Sequence, residues 1–133
     1  MTHNVGMDNG RASFFDEMPH PPANLERLIW TWDCILEKVF PSHNEKTDGT
    51  KADERISELS GVDIDKVATV RLTRNRCCHP VYRGWPTQDQ LANALGSSRD
   101  IWLGLHPKKD TSTTLTDLDR LLNAFKDFFA AEQ

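Results

Sequence analysis

Leu25-Glu26-Arg27-Leu28-Ile29-Trp30-Thr31-Trp32-Asp33-Cys34-Ile35-Leu36-Glu37-Lys38-Val39-Phe40 is the stretch on which the fold turns. Within it Leu25, Leu28, Ile29, Trp32, Ile35, Leu36, Val39 and Phe40 recur at steps of three and four residues. A helical turn of 3.6 residues brings side chains so spaced to one side, so the run predicts a long amphipathic helix. Pro21-Pro22 stand before it and Pro41 after it. Proline disfavours helical geometry at the residue before it, so Pro41 ends the helix.

Working outward from this helix, residues 1–20 carry Gly, Asn, Asp and His with little periodicity. They read as a flexible lead-in, with Phe14 and Phe15 as candidates to pack on the body. Residues 41–50 are polar turn formers and predict a loop. A short helix is expected over 51–59, with Ile56 and Leu59 inward. Three segments have the spacing of a capping box, in which a Ser or Thr side chain caps a helix start. They are Ser60-Gly61-Val62-Asp63, Thr87-Gln88-Asp89-Gln90 and Thr114-Leu115-Thr116-Asp117. The first is expected to open a helix that runs to His79, where Pro80 stops it. The second opens a helix with Leu91, Ala94, Leu95, Trp102 and Leu105 on one face, closed by His106-Pro107 and weakened in its middle by Gly96-Ser97-Ser98. The third opens a last helix with Leu115, Leu118, Leu121, Leu122, Phe125, Phe128 and Phe129 on one face.

Alternation of apolar and polar residues never persists, so no strand is expected. The fold class predicted is all-α: an antiparallel four-helix bundle with one extra short helix. With 133 residues the chain suits one domain, assigned to 21–133. Folding at this size buries roughly two thirds of the unfolded surface, enough for a core without a metal or disulfide staple. Apolar runs are too short for a transmembrane helix, and the first residues lack a basic region and an apolar stretch of a secretory signal. Three cysteines, two of them adjacent, make no tidy disulfide framework, and the expected compartment is the reducing cytoplasm.

The formal charge is −4, from 16 Lys and Arg against 20 Asp and Glu. That balance excludes a generic nucleic-acid coat, which needs a basic surface. It leaves room for a confined basic site. Val70-Arg71-Leu72-Thr73-Arg74-Asn75-Arg76-Cys77-Cys78-His79-Pro80 is such a segment. Arg71, Asn75 and His79 are spaced i, i+4, i+8 and share a helix face. Arg74 and His79 are about 140° and roughly 7.5 Å apart on an ideal helix. They therefore clasp one small group only if the helix distorts near Pro80, or if a second copy of the segment completes the site.

These residue types suit phosphodiester cleavage. Histidine exchanges a proton near neutral pH. Arginine grips a phosphate with two parallel hydrogen bonds and stabilises the charge that grows in the transition state. Asn75, one turn before His79, is placed to orient the imidazole. RNA supplies its own nucleophile, the 2′-hydroxyl, so no metal or other cofactor is required. The other reading is structural: Arg and His at a helix C-terminus cap its last carbonyls and suit its dipole.

Arg74-Asn75-Arg76-Cys77-Cys78-His79 resembles the signature of the HEPN superfamily, an arginine followed by a polar residue and then a histidine after four to six residues. The resemblance extends over the helical body, roughly 22–131, and only the motif is specific. It implies a small all-α bundle and a metal-independent endoribonuclease. It also implies a homodimer in which two motifs face each other as one composite site. Carried over by position, Arg74 and His79 are the catalytic pair and Asn75 the polar support. Cleavage by the 2′-hydroxyl would leave 2′,3′-cyclic phosphate ends. Such proteins are often toxins of toxin–antitoxin pairs or parts of anti-phage defence, which implies an antitoxin protein as partner, while others are non-catalytic modules that bind protein or RNA. Arg71, Arg76 and Arg83 lie outside the signature and are candidates to hold RNA phosphates. Tyr82 and Trp85 are candidates to stack on a base, although Trp85 packing on the bundle end is as good a reading.

Other signals are weaker. Adjacent residues on a helix diverge, so Cys77-Cys78-His79 is a poor zinc cluster, and His20, His43 and His106 do not improve it. A thiol enzyme using Cys77 or Cys78 with His79 as base has no third group to orient it. Cys34 reads as a packing residue. No glycine-rich phosphate loop is present. The pairs Asp63/Asp65 and Asp117/Asp119 are explained by helix starts.

Overall fold

The structure, a computed structural model, describes residues 22–41, 49–80 and 84–131. Among them are five α-helices and no strand: α1 (Leu25–Val39), α2 (Gly49–Ser60), α3 (Ile64–Cys78), α4 (Gln88–Gly104) and α5 (Thr111–Ala131). The all-α reading holds. None of these helices is long and apolar enough to cross a membrane. The lead-in with Phe14 and Phe15, most of the 41–50 loop, and Tyr82 and Arg83 lie outside the described residues.

α1 buries Leu25, Leu28, Trp32 and Ile35 as its spacing demands, and Cys34 joins them. It ends one residue before Pro41, at Phe40, whose N–H reaches the Leu36 carbonyl at 2.7 Å. α2 is longer than its sequence suggested, because Gly49 and Thr50 are already helical and Ser60 still is.

Two of the three capping boxes are corrected. Ser60 closes α2 rather than opening α3: its hydroxyl donates to the Ile56 carbonyl at 2.7 Å and accepts from Val62 N–H at 3.2 Å. Gly61 follows with φ +77°, the left-handed residue that commonly ends a helix, and its N–H reaches the Ser57 carbonyl. α3 then starts after Asp63. Likewise α5 starts at Thr111, capped by Asp110, whose carboxylate accepts from the Thr113 N–H and hydroxyl, each at 2.8 Å. These bonds hold the Asp110 carboxyl below its usual pKa. Thr114 is therefore buried inside the helix, and Asp117 and Asp119 lie in later turns, paired with Lys109 and Arg27. The Thr87 box is formed in full: Gln90 N–H to Thr87 Oγ1 at 3.1 Å, Thr87 N–H to Gln90 Oε1 at 2.9 Å. α4 runs unbroken through Gly96-Ser97-Ser98, where the buried Ser98 hydroxyl is satisfied by the Leu95 carbonyl at 2.8 Å.

α4 packs against each of the other four helices, whereas α5 touches only α1 and α4. α3 lies against α1, α2 and α4. The shared core includes Leu28, Ile35, Ile56, Val67, Val70, Leu91, Ile101 and Leu118, all at 1% exposure or less. Each such side chain contributes about 1.5–3 kcal/mol on burial. Where α4 ends, Gly104 lies so close to the Ser60 carbonyl that a Cβ would collide with it. The α2–α4 approach therefore requires glycine there.

Candidate functional site

The basic segment forms the second half of α3. Val67, Val70, Thr73 and Cys77 make the buried face of this helix. The Thr73 hydroxyl is satisfied by the Thr69 carbonyl at 2.7 Å, so a polar residue is accommodated in that face. Ile64, Leu72 and Asn75 fall on the opposite side, with Ile64 39% and Leu72 54% exposed. Arg71 and Arg74 each follow a buried residue and leave the helix at its flanks.

The three arginines reach three different neighbours. Arg71 reaches α2, where Nε lies 3.0 Å from both carboxylate oxygens of Asp53 and Nη2 lies 2.9 Å from Oδ2. Asp53 is only 2% exposed, so this two-nitrogen grip neutralises a carboxylate inside the body. Arg74 reaches α1, where Nη2 lies 3.1 Å from Asp33 Oδ1. Arg76 reaches α4 and the loop before it, donating to Gln90 Oε1 and to the Trp85 carbonyl, each at 3.1 Å. Gln90 Oε1 is also the oxygen of the Thr87 capping box, so Arg76 ties the end of α3 to the start of α4.

His79 is the first residue past α3. Its backbone (φ −134°, ψ 65°) is no longer helical, and its N–H reaches the Asn75 carbonyl at 2.8 Å. The imidazole is exposed and hydrogen-bonds to none of the described residues. Asn75 is half-buried, and its amide does not reach the imidazole, so the orienting bond expected from their spacing is absent here. Arg74 and His79 make no direct hydrogen bond. Trp85 is half-buried and packs against the core, so part of the face read as a base platform is already covered.

The site thus has an outward half and an inward half. Asn75 and His79 face solvent beside Leu72, whereas Arg71, Arg74 and Arg76 turn back onto the fold. The sequence reading placed all three arginines correctly on one helix and missed their partners Asp33, Asp53 and Gln90. One signal was available. Asp53 lies between Ala52 and Ile56, on the side of α2 that faces the core, and a carboxylate there requires a cation.

The cysteines are free. Cys77 is 4% exposed, and burial chiefly raises its pKa from 9.0 to about 11. Its thiol stays protonated at neutral pH and is no nucleophile, so the thiol-enzyme reading loses one of its two residues. Among the described residues no three His, Cys, Asp or Glu side chains are gathered to hold a metal. A groove of about 440 Å³ opens between α1, α4 and α5, with Cys34, Trp102, Leu121 and Phe125 against Asp33, Glu37 and Lys38. Comparison with protein families, with curated proteins and with solved structures finds no match to this chain.

Proposed function

We propose that the chain is a HEPN-like endoribonuclease that cleaves RNA without a metal. The observation that carries this reading is the end of α3: an exposed, uncommitted imidazole at His79 and a half-accessible Asn75 lie five and one residues past Arg74. In this reading His79 takes the proton of an RNA 2′-hydroxyl, and the 2′-oxygen forms a bond to phosphorus. The bond from phosphorus to the 5′-oxygen breaks, and that oxygen takes a proton from solvent water, to which the His79 imidazolium returns the one it gained. The products carry a 2′,3′-cyclic phosphate and a 5′-hydroxyl. Arg74 holds the phosphate and stabilises its added charge. Arg76, through Gln90 and Trp85, fixes the turn that presents His79. Tyr82, Arg83 and Trp85 would line the path of the RNA.

The fold supports the reading in outline. In this reading α1, α3, α4 and α5 form the bundle, with α1 and α4 also touching across it, and α2 is the additional short helix. One domain over residues 21–133 contains them. The exposed Leu72 and Ile64 on the His79 side of α3 favour a homodimer across this face. A toxin or anti-phage protein acting in the cytoplasm with a cognate antitoxin is the biological role that goes with this chemistry.

A second reading is favoured by one observation. Arg71, Arg74 and Arg76 all have partners within the fold, as they would in a non-catalytic helical module that binds protein or RNA. One experiment decides between them. Purified protein is incubated with mixed RNA in EDTA beside His79→Ala and Arg74→Ala. The nuclease reading expects cleavage by the wild type and a loss of at least a hundredfold in each variant, the usual scale for a proton-transfer or charge-stabilising group. Variants that cut equally well remove His79 and Arg74 from catalysis, and a wild type that leaves RNA intact favours the module.

A further inference from the structure

The two arginine–aspartate pairs of α3 differ in kind. Asp53 is sealed in the body and takes both Nε and Nη2 of Arg71. Asp33 offers one oxygen to Nη2 of Arg74, and its side chain is 45% exposed against 25% for Arg74. The first pair is part of the core. The second is open to solvent on the carboxylate side and can come apart at little cost.

The guanidinium fork restricts what happens next. A two-nitrogen grip on a phosphate uses either Nε with Nη2 or Nη1 with Nη2. Nε of Arg74 is buried without a hydrogen-bond partner, so the first edge is turned into the fold. Either way Nη2 is needed, and Asp33 already takes one of its two N–H groups. A phosphate at Arg74 would sit within a few ångströms of the Asp33 carboxylate, and like charges that close repel. The Asp33 side chain is 45% exposed, so its carboxylate is solvated when it parts from Arg74.

We infer that Asp33 is a competitor for Arg74 built into α1: it occupies one N–H of the nitrogen that an RNA phosphate needs and sets how tightly the site takes RNA. The inference rests on the reading of Arg74 as the phosphate-binding residue. Asp33 is a positioning and affinity-setting residue and touches no reacting atom.

The test measures binding apart from cleavage. A short fluorescent RNA oligonucleotide is titrated in EDTA with wild type, Asp33→Asn, Arg74→Ala and the double variant. Asp100→Asn, on exposed α4 surface, removes an equal charge elsewhere as a control. Circular dichroism melts confirm that every variant is folded. Asp33→Asn is expected to tighten binding about five- to twentyfold, the scale of one close like-charge contact near a protein surface. Asp100→Asn should change it less than twofold, and the double variant should bind no better than Arg74→Ala. Unchanged or weaker binding by Asp33→Asn overturns the inference, as does equal tightening without Arg74. Cleavage is followed on the same samples. Arg74-dependent tightening without cleavage would remove the nuclease reading and leave Asp33 as the competitor, and cleavage without tightening would do the reverse.

Discussion

At the scale of single residues, Arg71 shows how a basic side chain is absorbed by the fold. Asp53 is 2% exposed and has its charge met by two nitrogens of Arg71. Removing the cation alone leaves a carboxylate in a low-dielectric site, which costs about 3–5 kcal/mol. Arg71→Ala should therefore lose that much stability in urea denaturation, and adding Asp53→Ala should recover a large part of it. If RNA binding by Arg71 were its main task, stability would hardly move. The sequence showed the cation and not this fate, because the pair joins residues 18 positions apart on different helices. Spacing within a helix reports which residues share a face, and it does not report what a neighbouring helix presents to them. The same limit applies to Arg74 and Asp33, 41 positions apart. His79 was different. Its exposure follows from its place just past a helix end, beside Pro80, and needs no knowledge of the other helices.

At the scale of elements, the capping segments separate what local sequence decides from what it leaves open. Thr87-Gln88-Asp89-Gln90 follows a proline and has no helix before it to compete for its threonine. Its box forms, and its glutamine also receives Arg76. Thr87→Ala should cost about 1 kcal/mol, the usual worth of a hydroxyl cap. Gln90→Ala should cost at least as much in a thermal melt and, in the nuclease reading, should also lower RNA cleavage, because it removes one of the bonds by which Arg76 holds the turn that carries His79. An equal loss of stability with full cleavage in Gln90→Ala would mean that the clamp does not position the histidine. Ser60 has the same spacing signal and a different outcome. The buried Ala52, Asp53 and Ile56 carry α2 up to it, whereas Leu59, expected inward, is 44% exposed, and Gly61 supplies the left-handed stop. A serine followed by glycine thus read as a start when it was an end. Thr114 failed for a related reason, since Asp110 lies one turn earlier and captures the helix start first.

At the scale of the whole molecule, one side of α3 has no neighbour among the described residues. Val67, Val70 and Cys77 are spent on the core, and Leu72 stands 54% exposed between the Arg74 flank and His79. An exposed leucine alone is ordinary. Here Ile64, Leu72 and Asn75 share one side of α3 and the exposed His79 follows its last turn, and the proposed catalytic pair is incomplete within one chain, since Arg74 is drawn to α1 and His79 is exposed to solvent. A twofold axis through this side would bring Arg74 of one copy toward His79 of the other and would cover Leu72 with its symmetry mate. The arrangement has a distinctive consequence. Arg74→Ala and His79→Ala, each inactive alone, should regain activity when mixed and allowed to exchange subunits. Each mixed dimer carries one site with both residues intact. Random pairing makes half the dimers mixed, so recovery should approach about a quarter of wild-type cleavage. Leu72→Gln should shift the light-scattering mass from dimer to monomer and abolish both cleavage and recovery, while leaving the circular dichroism melt nearly unchanged, because Leu72 contributes little to the core of its own chain. Recovery that never exceeds the sum of the two separate variants would place both catalytic groups within a single chain.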